Sequence, residues 1–419
     1  MSWQIAQQMQ FDSQREQILK KTAIDPEQQL ILADFATLLA FVHDRQPVVS
    51  RAGQLPLGIL NDINTRLKRG VSHNLKRPLQ KSFPHINGLY LLLRASGLTF
   101  IGSSGKKPQL LVDESLYEAW QQFNPVEQYG NLLETWLLRA YPEIIGERVG
   151  GFLHTPNHLS DIALFLMSLP PEGIYPAQDK ATEDRLRYIP GLYNLALMEL
   201  FGFIRINDAP PLPGGGWRIE QIQPTPFGQA ILSFLWHKFF ATDRYLQLKF
   251  NEPAEPDSLQ PFFQPYFPDW QRNIRLPAWE FRPGVYRFKV SLGSIWRRIA
   301  LPANATLEDL ARVILKSVKF DDDHLHQFSY QNRFGTIERV NHSYMDEGPY
   351  TDERQIGDLP LRIGQTMVFL FDFGDNWEFD VALQEVDEEK TLAKPVILES
   401  KGAAPPQYRS WGGDGVPPF

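Results

Sequence analysis

The sequence contains no cysteine. That excludes a disulfide scaffold, a thiolate-held zinc or iron–sulfur centre and a cysteine nucleophile, and it fits a reducing, cytoplasmic compartment. Long apolar runs are absent too. Nothing approaches the roughly 20 residues of a membrane-spanning helix, so no membrane association is expected. The opening MSWQIAQQMQFDSQREQ has neither a basic start nor an apolar stretch, so no signal peptide is expected. The motifs GxSxG and HExxH are missing. GSSGKK (Gly102–Lys107) fails the phosphate-loop spacing, which needs glycine where Phe100 stands and Ser or Thr where Lys107 stands. Asp372-Phe373-Gly374 spells a kinase tripeptide without the glycine-rich loop, strand lysine or HRD loop that a kinase requires. It reads instead as a hairpin turn, with Gly374 at positive φ and Asp375 and Asn376 satisfying local backbone donors. No motif calls for a cofactor.

What is present begins with size. At 419 residues the chain exceeds one hydrophobic core, and 43% apolar with 22% charged residues is ordinary for a globular protein. The net charge of −7 is unevenly spread. Residues 284–419 hold 15 Lys/Arg against 21 Asp/Glu, whereas residues 1–283 hold 27 against 28. A nucleic-acid surface therefore belongs upstream, and the acidic C-terminal part suits a protein partner.

Punctuation divides the chain further. Residues 251–283 carry seven prolines and seven aromatics among 33 residues, a connector that cannot be regular helix and should lie against a folded surface. Upstream, residues 1–45 form an N-terminal helical segment, with PEQQLILADFATLLAFVH (26–43) apolar at helical spacing and opened by Asp25 and Pro26. Residues 46–123 and 124–250 then repeat one pattern. Each has a helix ending at a glycine (Gly97, Gly202), a strand (LTFI, FIRI), a turn-rich tip and a second strand (QLLV, WRIEQI). A helix then follows a capping residue (Asp113, Thr225). LPLGILNDINTRL (55–67) supplies a preceding helix. Helix, hairpin and returning helix is the form of a winged helix, here in tandem; the plainer reading is a helical domain with two surface hairpins.

Residues 284–419 change register. VYRFKVSLGSIWRRIALP gives two alternating strands, Val285–Val290 and Trp296–Leu301. NATLEDLARVILKSV follows as a helix with Thr306 at the N-cap and Asp309 at N3. HLHQFSY is a strand, the next 30 or so residues are an irregular loop, and TMVFLFDFGDNWEFDVALQEV is a closing hairpin. The fold class expected is α+β, multidomain, with a mainly helical N-terminal half and a small α+β sheet domain.

The run SIWRRIALPANATLEDLARVI, then DDDHLHQF, FLFDFGDNWEFDV, PVILESKGAAPPQ and WGGDGVPPF, resembles the plasmid pRiA4b ORF-3-like family. The resemblance implies an α+β domain found on plasmids, transposons and bacterial chromosomes, without an established activity. It departs from the family where Gln407-Tyr408-Arg409-Ser410 replaces an acidic, cysteine-containing step.

Two stretches carry candidate chemistry. TRLKRGVSHNLKRPLQK (65–81) holds Arg66, Lys68, Arg69, Lys76, Arg77 and Lys81 without one acid, a cluster suited to double-stranded DNA or another nucleic acid, and Lys106 and Lys107 extend it from the first hairpin tip. A solvated charged loop is the competing reading. DDDHLHQFSY (321–330) places His324 and His326 at strand spacing, on one face, within a cleft completed by Asp372, Asp375 and Trp377. Two imidazoles and a carboxylate suit zinc or iron(II), and the competing reading is two histidines hydrogen-bonded at a sheet edge. The expected function is therefore nucleic-acid or protein binding in an accessory role linked to mobile elements. Metal-assisted hydrolysis at the His-x-His strand and a pure interaction scaffold are the alternatives.

Overall fold

The computed structural model describes residues 11–22, 24, 29–50, 53–103, 107–147, 158–240, 258–276, 279–332 and 334–408, and all structural statements concern these. Two compact units emerge: residues 1–101, 107–276 and 334–336 in one, and residues 102–106, 277–333 and 337–419 in the other.

The first unit opens with α1 (Ser13–Lys21) and then runs through two copies of one element order. In the first copy α2 (Leu30–Arg45) leads to Val48, which bridges to Gln109, then to α3 (Leu57–Arg66) and α4 (Pro84–Ala95). The hairpin β1 (Thr99–Ser103) and β2 (Pro108–Val112) follows, then α5 (Glu114–Gln121). After α6 (Pro125–Arg139), the second copy has α7 (His158–Ser168), Ile174 bridging to Ile222, α8 (Lys180–Leu186) and α9 (Leu192–Leu200). Its hairpin is β3 (Ile204–Ala209) and β4 (Arg218–Pro224), and α10 (Pro226–Leu235) closes it. The punctuation behaves as read. Gly97 and Gly202 take φ +81° and +78° just past α4 and α9. Asp113 Oδ1 accepts the Leu116 N–H at 3.2 Å, and Thr225 Oγ1 accepts the Gly228 N–H at 2.9 Å.

The core of this unit is where the copies meet. Every residue of α4 is buried, and so is Tyr193 through Leu200 of α9. Gly88 lets the two helices approach: a Cβ there would stand 2.8 Å from Leu197 Cγ and 3.2 Å from the Tyr193 carbonyl. The aromatic connector is divided between the units. Residues 258–276, which include the short helix α11 (Gln260–Phe263), join the first core. Trp270 lies over α6 so closely that a Cβ on Gly130 would meet its indole at 2.4 Å. Asn131 Oδ1 accepts the Ile274 N–H at 2.7 Å and Glu134 Oε2 the Leu259 N–H at 2.8 Å, satisfying backbone that proline-rich chain cannot pair with itself.

The second unit is a seven-stranded antiparallel sheet with one helix, so the chain is α+β. Its strands are β5 (Val285–Leu292), β6 (Ile295–Pro302), β7 (His326–Gln331), β8 (Ile337–Asn341), β9 (Thr366–Phe371), β10 (Trp377–Asp387) and β11 (Val396–Lys401), ordered β11-β6-β5-β10-β9-β7-β8. Helix α12 (Leu307–Val318) has the expected capping box between Thr306 and Asp309. Its Leu307, Leu310, Ile314 and Leu315 share a core with Phe288, Ile299, Phe369 and Val381. Both edge strands escaped the sequence reading. All six residues of β11 are exposed and β8 buries only Val340, so neither shows the alternation of a half-buried strand.

The β9–β10 turn corrects one expectation. Gly374 does not take positive φ; Asp372 (φ +55°) and Asn376 (φ +52°) do. It is the Asp372 carboxylate, rather than Asp375 and Asn376, that accepts the turn's donors, from Gly374 N–H at 2.9 Å and Asp375 N–H at 3.3 Å. Asp and Asn tolerate this region because a short polar side chain bonds the adjacent backbone.

Candidate functional site

The basic stretch is a structured connector from α3 to α4. Asp34, buried on α2, accepts the backbone N–H groups of Lys68 at 2.6 Å and Arg69 at 3.0 Å. Burial pushes the Asp34 carboxyl up, with the two N–H bonds opposing it. Further along, Asn74 donates its N–H to the Gly215 carbonyl at 2.8 Å, which holds the stretch against the tip of the β3–β4 hairpin.

Its cations serve different ends. Arg66 is turned back onto Asp62, one turn earlier on α3, at 2.8 and 3.1 Å. Arg69 is only 17% exposed and joins the two copies. Its Nε donates to Glu199 on α9 at 2.9 Å, and Nη1 and Nη2 donate to Asp208 on β3 at 2.8 and 2.7 Å. Glu199 also meets His85 Nε2 of α4 at 2.9 Å, and Asp208 accepts the Trp217 indole N–H at 2.8 Å. Burial alone would raise the Asp208 carboxyl, but Arg69 and Trp217 outweigh it and hold the group below the usual carboxylate range. Arg69 is therefore committed to the fold. Lys68, Lys76, Arg77, Lys81 and Lys107 are exposed. Among the described residues no carboxylate lies within ion-pairing distance of Lys76, Arg77 or Lys107. Lys106 lies outside the described residues.

The histidine stretch separates in space. The strand begins at His326, so His324 sits in the preceding turn, 40% exposed, with Nε2 3.5 Å from Asp372 and 3.8 Å from Asp323. Asp375 is exposed at the hairpin tip, and Trp377 is half-buried with its ring edge-on to Phe320 at 5.0 Å. The C-terminal segment docks on this turn. Gln407 Oε1 accepts the Asp321 N–H at 2.6 Å, Gln407 Nε2 donates to Asp323 Oδ1 at 3.1 Å, and the Tyr408 hydroxyl donates to Asp323.

His326 turns inward with zero exposure. Its Nε2 is 3.2 Å from Glu308 Oε2 and 3.2 Å from the Thr351 hydroxyl, which itself donates to Glu308 at 2.9 Å. Hydrogen bonding from His326 is the main reason the Glu308 carboxyl is held down to about 2. His342 lies across from His326 at the end of β8: its N–H donates to the His326 carbonyl at 3.0 Å, and the rings meet edge to face at 4.7 Å. The site thus exchanges partners relative to the sequence reading. His326 keeps Glu308, Thr351 and His342; His324 keeps Asp372. Glu308 and His342 lie far from His326 along the chain. Only the capping box, which fixes Glu308 in the first turn of α12, was a signal for one of them.

Residues 284–409 match the family described as plasmid pRiA4b ORF-3-like protein, the resemblance expected from the motifs. The uncharacterized protein y4hQ of Sinorhizobium fredii is 26% identical over 131 residues, which are 29% of this chain and 65% of that protein's own length. A crystal structure of a protein of unknown function from Methanosarcina mazei Go1 is 28% identical, covering 30% of this chain and 73% of that one, with a TM-score of 0.28. Among the described residues no helix is long and apolar enough to cross a membrane.

Proposed function

We propose that the first unit is a pair of winged-helix modules that binds nucleic acid through its phosphates rather than by reading bases. The modular reading is supported by the repeated order of helix, bridging residue, two helices and hairpin, in which the incoming residue pairs with the second hairpin strand both times. In such modules the helix before the hairpin is the one that enters the major groove. Here α4 and α9 hold that place, and both are buried against each other. Base reading by these helices would require the core to open.

The observation that carries the proposal is the anchored basic connector. Asp34 and Gly215 fix its backbone while Lys76 and Arg77 remain exposed and unneutralised beside a hairpin tip. Pre-positioned cations of this kind displace counterions from phosphates with little ordering penalty. Fluorescence anisotropy of the full-length protein on mixed-sequence double-stranded DNA and RNA across a salt series tests the reading. Affinity should fall linearly on log–log axes and be indifferent to sequence. Lys76→Glu/Arg77→Glu should lessen the slope by about 2. Flat traces at low salt sink it and favour a second reading, an interaction scaffold, for which the burial of both α4 and α9 already speaks.

A further inference from the structure

We propose that Glu308, His326 and His342 form a binding site for a divalent transition-metal ion of the zinc class, separate from any nucleic-acid surface. Three elements deliver the donors. Glu308 stands in the first turn of α12, His326 opens β7, and His342 ends the paired stretch opposite it. The β7–β8 register, with Phe328 facing Val340 and the His342 N–H on the His326 carbonyl, puts both imidazoles on the same face of the sheet. One ligand atom from each of the three residues lies within 4.8 Å of the others.

Distances favour coordination. Bonds of 2.0–2.1 Å to a tetrahedral ion place neighbouring ligand atoms about 3.3 Å apart. Glu308 Oε2 and His326 Nε2 already stand 3.2 Å apart. His342 closes the remainder by turning about its side-chain bonds. It is half-buried, and its Nδ1 accepts only the exposed Tyr344 N–H at 3.1 Å. His326 is itself unfinished as a hydrogen-bonded residue. Its Nδ1 is buried without a partner, and only Nε2 meets polar atoms, those of Glu308 and Thr351; an ion there would take the place of the proton on Nε2. Thr351 supplies an outer hydroxyl to the Glu308 carboxylate, the kind of support that orients ligands.

The donor chemistry narrows the ion. Two imidazoles and one carboxylate suit zinc and its neighbours, whereas calcium and magnesium prefer all-oxygen sites. With three protein ligands and His342 on the half-exposed side, the fourth position falls to water or a small anion.

The test loads full-length protein with Zn²⁺, removes excess by dialysis and measures bound metal by mass spectrometry, with calorimetric titration for affinity. One ion per chain should remain, and zinc should raise the unfolding temperature. His342→Ala, chosen because the residue is half-buried and its bond to the His326 carbonyl is through the backbone N–H and survives the change, should weaken zinc binding at least about tenfold. His324→Ala should leave it unchanged. Glu308→Gln preserves the shape at His326 and should also weaken binding, with circular dichroism confirming the fold. Absence of retained zinc, or zinc held equally by the His342→Ala variant, overturns the proposal and leaves a buried Glu–His pair. Loss of zinc in His324→Ala alone moves the site to the Asp323/Asp372 turn and overturns it too.

Discussion

The two helix–hairpin copies of the first unit follow one plan and have become complementary rather than equivalent. The first has a 10-residue α3 and a basic connector to α4 that presents Arg69. The second has a seven-residue α8 running directly into a kinked turn before α9, and in return offers Glu199 and Asp208. One copy supplies the cation and the other the two carboxylates. Their central helices meet at Gly88, where no side chain could be accommodated without movement. The two copies thus hold each other, with α4 and α9 turned inward.

Removing the cation should break this complementarity most severely. Arg69→Ala leaves Glu199 only His85 and Asp208 only the Trp217 N–H in a largely buried place, and a loss of about 3 kcal/mol is expected in urea unfolding followed by tryptophan fluorescence. An Arg69→Ala protein as stable as wild type would mean the clamp is ornamental. Next come the two matched glycines. Alanine at either must adopt a left-handed conformation, at about 1 kcal/mol. At Gly97 the new Cβ also meets Leu276 Cδ2 at 2.5 Å, whereas at Gly202 the nearest atom is 3.7 Å away. Gly97→Ala should therefore cost about 2 kcal/mol and Gly202→Ala about 1 kcal/mol; equal losses would show that the copies are packed alike. Gly88→Ala gains about 1 kcal/mol of helix propensity and loses about 2 kcal/mol to overpacking against Leu197, so a net loss of about 1 kcal/mol is expected. Smallest is Lys76→Glu/Arg77→Glu. Its unfolding midpoint should stay within about 0.5 kcal/mol of wild type while nucleic-acid affinity falls, separating these cations from Arg69 by a readout of function alone.

Much of the second unit was legible. Alternation gave β5, β6 and β9, the capping box gave α12, and the ordered motifs gave the family match. The two strands that were missed there were missed for one reason. β8 and β11 lie at sheet edges, where one side of the strand is unpaired and burial no longer imposes a period. The turn at Asp372 was placed correctly but assigned to the wrong residue, because composition shows that a left-handed position is needed somewhere and not which residue takes it.

By itself, the sequence determined what local chemistry determines: helix ends at Gly97, Gly202, Asp113 and Thr225, the alternating strands, the absence of thiol chemistry, and the acidic character of the C-terminal third. Only the tertiary structure decided what neighbouring residues of one type do. Arg69 and Arg77 are eight positions apart, and one is half-buried between carboxylates while the other faces water. His324 and His326 are two apart, and one pairs with Asp372 at the surface while the other closes on Glu308 in the core. Such a division depends on which distant segment arrives. The free energy of a charge or an imidazole is set by desolvation and by partners a few ångströms away. Those partners came from 130 residues along the chain for Arg69 and from 18 along for His326, beyond the reach of any local pattern.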